Sequence, residues 1–267
     1  MKPTHVLFIG GTGSVGQYAV EEARRQGYAA RVFTRDPSRA HFAPDVEVVK
    51  GDVTDFESMR HAVDGIDGIV FTQGVHGGPK VTEAVDYGGV CLALEALDGR
   101  PLRLVLMTAI GVTNMDGEYN QATQAHDWKR RAERLVRASG DPYTIVRPGW
   151  FDMNATDEHH LVFEQGDRKR SGTAADGAVS RAQIAQVLVD ALGDESAERK
   201  TLELVATKGD AQTDAQIAAM FAELKPDTGL DGVEDEDNFP MASQPQRVKE
   251  DLAHVQQLEK LQEDELA

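Results

Sequence analysis

Residues 5–27 read HVLFIGGTGSVGQYAVEEARRQG, and this stretch decides the fold. The apolar run at 5–10 is β-like and ends in glycines, and the segment after it has helical periodicity, with Gly27 as its C-terminal stop. Gly10, Gly13 and Gly16 stand in the spacing G-x-x-G-x-x-G at the junction. A dinucleotide pyrophosphate needs close backbone approach and free N–H groups at a helix N-terminus, and such a junction supplies both. A side chain at Gly10 or Gly13 would crowd the turn or the phosphates, and Gly16 lets the helix lie close to the strand. Thr12, Ser14 and Val15 complete the candidate loop. A P-loop is excluded, because its Gly-Lys-Ser/Thr ending is absent. A tight glycine turn without a ligand is the plainer alternative.

Working outward, short apolar runs alternate with amphipathic segments. Strands are expected at 30–34, 46–50, 68–72, 103–108 and 143–147, and helices near 55–63, 80–98 and 121–139. Strand and helix alternating over short connections is the pattern of a parallel sheet covered on both faces. Right-handed crossovers then give a doubly wound, Rossmann-like order, 3-2-1-4-5-6. Beyond Trp150 the rhythm changes. An extended segment with an exposed turn is expected at 161–170, and Ser180 as the N-cap of a helix. A last strand is expected at 201–206, then helices near 212–224 and 246–263. The α/β domain is expected over 1–225, with a small C-terminal substrate lobe built mainly from 150–180 and 207–225.

The chain of 267 residues carries 28 basic and 45 acidic side chains, a net charge of −17. Such a chain repels nucleic-acid backbones and anionic membranes. Residues 226–267 hold twelve acids and three bases, so they are expected to form a solvated acidic tail. One cysteine, Cys91, allows neither an internal disulfide nor a thiolate zinc site, and is expected to be a buried small residue. No apolar run is long enough for a signal core or a membrane span. The expectation is a cytoplasmic monomer or homodimer that acts on a small molecule, with neither nucleic acid nor membrane as partner. Asp157, Glu158, His159 and His160 are metal-ligating types, but neighbours on a loop rarely converge on one ion, and no metal is expected.

The second strand ends at Thr34-Arg35, followed by Asp36-Pro37-Ser38-Arg39. Arg35 stands where the adenosine ribose should lie, with Arg39 one turn on. Two guanidinium groups suit a 2′-phosphate, so NADP(H) is the preferred cofactor. Asp36 turned back toward the ribose would leave NAD(H) open. Asp52 can accept the adenine amino group with Val53 flanking the ring, or it can cap the helix that follows. Thr72, Gln73 and Gly74 follow strand four, where the cofactor ribose should pass.

The stretches GGTGSVG, TRDPSRA, GDVTD, VDYGGV, KRRAERLVRASG and YTIVRPGWF resemble the atypical short-chain dehydrogenase/reductase superfamily. The likeness is to its NAD(P)H-binding group, which includes flavin/biliverdin-reductase-like and nitrogen-metabolite-repressor-like proteins. It covers about residues 5–155 and the helix–strand pair at 180–206. The resemblance implies a Ser-Tyr-Lys set with the spacing Y-x-x-x-K. Lys129 fits the lysine. The tyrosine position holds Ala125, and the serine position falls on Ala109 with Thr108 beside it.

Candidates to replace the missing groups are Thr108, His126 with its near-neutral intrinsic pKa, and Tyr119 on a preceding loop. Each also has a plain reading, as a strand end, an exposed helix histidine and a loop aromatic. Pro148 and Gly149 follow strand six, where Gly149 allows approach to the nicotinamide. Trp150, Phe151 and Met153 are candidates to wall a flat apolar pocket, with Asn154 as a polar contact. Together these residues imply an NADP(H)-dependent oxidoreductase for a small flat carbonyl, quinone or flavin-like substrate. The alternatives are a non-catalytic NADP(H) sensor and, third, a sugar-nucleotide epimerase.

Overall fold

The structure, a computed structural model, describes residues 2–266, with the side chains of 2–261. Strands β1 (His5–Ile9), β2 (Ala29–Thr34), β3 (Glu47–Lys50), β4 (Gly68–Phe71), β5 (Arg103–Met107) and β6 (Tyr143–Pro148) form the expected parallel array, in the order β3-β2-β1-β4-β5-β6. They read as nearly unbroken apolar runs because helices cover both faces. Helix α1 (Gly16–Arg25) packs with a later helix on one face, where Val20 and Ala23 meet Ile184 and Leu188. The other face carries α2 (Phe56–Ala62), α3 (Pro79–Thr82), α4 (Gly88–Leu97), α5 (Glu118–Thr123) and α6 (Ala125–Ala138). There Met59, Val90 and Leu135 share one core.

The helix expected near 80–98 is interrupted. Between α3 and α4, residues Glu83–Tyr87 form a π-helical turn. The helix expected near 121–139 is likewise two, broken at Gln124, whose φ of 54° is left-handed. Tyr119 therefore lies on α5 rather than on a loop. Asp55 caps α2 by accepting from Ser58 N–H, while Asp52 accepts from Thr54, so the capping role read for Asp52 falls to Asp55, three residues on.

After β6, Gly149 leads into β7 (Trp150–Phe151), which pairs with β9 (Ala178–Val179); β8 (His160–Glu164) runs antiparallel to β10 (Lys200–Thr207). Strand β10 adds to β6 in parallel, which makes ten strands in one sheet among the described residues. Helices α7 (Arg181–Gly193) and α8 (Asp214–Glu223) each begin with a capping box, Ser180 with Gln183 and Thr213 with Gln216.

The acidic segment is not a solvated tail. Arg130, Arg134 and Arg137 on α6 are buried, and residues 227–239 supply a partner to each. Arg134 reaches Asp231 at 2.6 Å and the Phe239 carbonyl at 2.7 Å, and Arg137 reaches Asp227 at 3.1 Å. Arg147 on β6 is fully buried between Glu133 and Asp235, both at 2.7 Å, with Glu203 at 3.1 Å. Phe239 lies under the guanidinium groups of Arg130, Arg131 and Arg134. Helix α9 (Gln246–Leu266) then buries Val248, Leu252 and Val255 in the core shared with α4 and α6.

Candidate cofactor and active site

The turn from β1 into α1 has the geometry that its glycines forecast. Gly10 has φ 88°, and a Cβ there would stand 2.5 Å from the Gln73 nitrogen. A Cβ on Gly16 would fall inside the Gly10 carbonyl oxygen, so α1 starts as close to the strand end as backbone allows. Gly13 N–H donates to the Gly10 carbonyl at 2.8 Å, but the N–H groups of Ser14 and Val15 have no acceptor among the described residues. No side chain caps this helix. It therefore starts with unpartnered donors and the positive end of its dipole facing the loop, the arrangement a pyrophosphate requires.

Arg35 and Arg39 are exposed at the end of β2, and although the Arg39 N–H donates to the Asp36 carbonyl at 3.1 Å, neither guanidinium group has an ion pair or hydrogen bond among the described residues. Asp36 does not turn toward a ribose. It accepts from Ser38 N–H and Oγ, and these bonds hold its carboxyl below the usual aspartate range. Thr12, Tyr18, Arg39 and Phe42 help to line a cleft of about 260 Å³ beside the loop. Asp52 uses one carboxylate oxygen on Thr54 and is half-buried beside Val53. Thr72 is tied to the Ile9 carbonyl through its N–H at 2.8 Å.

Gln73, Gly74, Asp86 and Lys129 meet at the carboxyl end of β4. Lys129 donates to Asp86 Oδ1, and both groups face Gly74. The Asp86 carboxylate is almost fully buried, yet its Oδ2 has no partner among the described residues, and neither has Gln73 Oε1. Buried polar atoms are normally satisfied, so two orphan acceptors beside a lysine mark a place built for donors such as ribose hydroxyls. The residues present thus fit a nicotinamide dinucleotide, from the loop donors at one end to these acceptors at the other. Asp86 stands in the VDYGGV stretch, but nothing in the sequence marks it as the partner of Lys129.

The catalytic candidates separate. Thr108 is buried, and its only hydroxyl proton goes to Glu133 Oε1 at 2.7 Å. It cannot also donate to a carbonyl, so the role of carbonyl clamp read for Thr108 does not fit this geometry. Burial alone would push Glu133 up, but Arg147 and Arg137 outweigh it and hold the carboxyl at about 2. His126 sits one helical turn before Lys129, half-buried, with its ring 5.6 Å from that of Tyr119. Its Nδ1 lies 3.3 Å from the Asn114 carbonyl, so the neutral ring carries its proton on Nδ1 and leaves Nε2 bare. Burial pushes the His126 pKa below its ordinary value.

Asn114 also borders a polar cleft of about 650 Å³, lined by Thr113, Met115, Arg170 and Asn238 among others. Asp167, not foreseen from the sequence, shapes this edge: it is fully buried and accepts from the N–H groups of Gly111 and Thr113.

Pro148 ends β6, and the Gly149 N–H donates to the Leu204 carbonyl. A Cβ on Gly149 would stand 2.5 Å from the Gly177 carbonyl oxygen, so the close approach that demands glycine here is made by β9's lead-in. Trp150 and Met153 are exposed, while Phe151 is half-buried beneath the Arg181 guanidinium. Asn154 holds its own loop through the Glu158 carbonyl and Gln183. Asp157 pairs with Lys208, the Glu158 carboxylate accepts from Ala155 N–H, and His160 Nδ1 faces the Asp210 carbonyl. Cys91 is half-buried, its thiol pushed up to about 12 by burial. No helix among the described residues is long and apolar enough to cross a membrane.

A doubly wound sheet with a glycine turn after its first strand defines a Rossmann-type nucleotide-binding protein. Residues 10–195 match the NAD(P)H-binding family, and the chain belongs to it. An uncharacterised chloroplastic protein of Arabidopsis thaliana is 29% identical over 250 residues, 84% of this chain and 76% of that one. Sanguinarine reductase of Eschscholzia californica is 23% identical over 84% of this chain and 97% of its own. The solved structure of an oxidoreductase from Lactococcus lactis superposes with a TM-score of 0.67 at 16% identity, over 84% of this chain and all of that one.

Proposed function

We propose that this protein is an NADP(H)-dependent oxidoreductase acting on a small flat carbonyl, quinone or flavin-like acceptor. The observation that carries the reading is the occurrence together of unpartnered N–H groups at the glycine loop and the pair of half-buried Lys129 with buried Asp86 at the end of β4. In this reading Gly10, Thr12, Gly13, Ser14, Val15 and Gly16 hold the pyrophosphate. Arg35 and Arg39 take the 2′-phosphate, since Asp36 is engaged with Ser38 and does not compete. Asp52 and Val53 take the adenine, and Thr72, Gln73 and Gly74 flank the ribose. Lys129 holds the nicotinamide ribose beside Pro148 and Gly149, and Trp150, Phe151, Met153 and Asn154 border the acceptor. A relative named as a reductase, which this chain matches over nearly its whole length, supports the reaction class.

When bound, the cofactor supplies or accepts a hydride at C4 of its nicotinamide. The protein's own part is to position and to handle one proton. His126, neutral and bare at Nε2, accepts the proton released when a substrate hydroxyl is oxidised, and returns one from solvent in the reverse direction. An acceptor that takes its proton directly from water tolerates the absent tyrosine.

The second reading is a non-catalytic NADP(H) sensor. It is favoured by Ala125 at the tyrosine position and by the engagement of Thr108 with Glu133. Oxidation of NADPH against a panel of quinones, flavins and aldehydes separates the two. Turnover with any acceptor, lowered by His126→Ala, supports the enzyme; tight NADP⁺ binding with no turnover on the whole panel supports the sensor.

A further inference from the structure

We infer that the C-terminal helix α9 is a positioning element of the cofactor site, acting through the π-helical turn that carries Asp86. This rests on the proposed binding of the dinucleotide at Lys129. The two residues that bound the turn are both held from α9. Tyr87 donates its hydroxyl to Asp251 Oδ2 at 2.7 Å, and Glu83 accepts from Arg247 at 3.1 Å. Arg247 in turn lies 3.5 Å from Asp251 and over the Tyr87 ring, so both contacts come from one turn of one helix. Between them Asp86 points the other way, toward Lys129 and Gly74.

A π turn adds a residue to the helical circuit, and turns of this kind cluster at functional sites. Here the extra residue lets neighbours in the chain face opposite sides: Tyr87 faces α9 and Trp128, with ring centroids 5.4 Å apart, and Asp86 faces the site. The orphan Oδ2 of Asp86, buried beside Lys129, is the independent sign that this turn presents a ligand-facing group. If α9 lets go, the turn can relax to an ordinary helix, which rotates Asp86 and frees the Lys129 ammonium. Asp251, Tyr87 and Arg247 are therefore positioning residues. They touch no substrate, and their effect on the site passes through Asp86.

The test compares the full-length wild type with Tyr87→Phe, Arg247→Ala and a control, Val255→Ala, a buried residue farther along the same helix. Calorimetric titration with NADPH and thermal unfolding are measured for each. Tyr87→Phe and Arg247→Ala are expected to weaken NADPH binding by about tenfold, with the melting temperature of Arg247→Ala nearly unchanged. Val255→Ala is expected to lower the melting temperature while leaving NADPH affinity within about twofold. If affinity instead follows the melting temperature across all three variants, or does not move in Tyr87→Phe and Arg247→Ala, α9 is a structural brace only and the inference falls. A wild type that binds no NADPH overturns the proposed function, and this inference with it; a wild type that binds while the variants bind equally well overturns this inference alone.

Discussion

Arg35 and Arg39 stand in the open beside the glycine loop with no acidic group bonded to them, whereas Arg130, Arg134, Arg137 and Arg147 are buried with carboxylates from distant parts of the chain. The same side chain serves opposite ends in the two regions. At the seam between α6, β6 and residues 227–239, each guanidinium is met by acids, with carbonyls added for Arg130, Arg134 and Arg137 and the Phe239 ring for Arg130 and Arg134, so the charges hold the molecule together. At the loop, donors and cations are left without partners in a protein of net charge −17, where acids are plentiful. Partners withheld amid so many acids point to a ligand, and partners supplied point to architecture.

The largest way to break this contrast is at the seam. Arg147→Met takes the cation from Asp235 and Glu203 and leaves Glu133 with Arg137 alone. Removing one partner of a buried ion pair typically costs about 3–5 kcal/mol, so urea unfolding should show a loss of that size. A loss under about 1 kcal/mol would mean that the carboxylates find water or protons readily, and that the seam is not architecture.

At the loop the expected effect on stability is smaller and that on binding greater. Gly16→Val drives its Cβ into the Gly10 carbonyl and should cost about 1–3 kcal/mol in urea, with NADPH binding lost in calorimetry. Arg35→Asp should leave the urea midpoint within about 0.5 kcal/mol of wild type, as an exposed unpaired residue does. Its NADPH affinity should fall by about tenfold to a hundredfold while NADH affinity holds. Equal loss of both nucleotides would mean that Arg35 does not read the 2′-phosphate.

The smallest effect concerns a half-buried acid that has no ion pair among the described residues. Burial pushes the Asp141 carboxyl up to about 7, with Glu259 adding to the rise. Between the unfolded value near 4 and about 7, the folded chain keeps a proton that the unfolded chain releases, so ionisation in this window erodes stability as pH rises. Asp141→Asn retains an acceptor for the Leu102 N–H. It should add on the order of 1 kcal/mol at pH 8 and nothing below about pH 4, followed by urea melts at about pH 8 and about pH 3.5.

The six parallel strands and the glycine loop were legible because each depends on local sequence: an apolar run, a turn residue at its end, a cap such as Ser180. The seam was not. KRRAER at 129–134 reads as a solvated charged face because its partners, Asp231 and Asn238, stand about a hundred residues on in a stretch that reads as a loose acidic tail. Burial of charge is decided by tertiary pairing, which leaves no periodic trace. The π turn was hidden for a like reason, since the residues 80–98 have helical periodicity and only the packing of Tyr87 and Asp86 to opposite sides reveals the extra residue. Thr108 could be named as a candidate from its place after β5, but its engagement with Glu133 depends on a helix that crosses above it.

The unpartnered donors and arginines of the first turn are there, on this reading, for a phosphorylated dinucleotide. Isothermal titration of the purified full-length chain with NADPH and with NADH tests it most directly. One NADPH per chain is expected to bind, with NADH at least about tenfold weaker. No heat with either nucleotide, together with an intact cooperative unfolding transition, would contradict it.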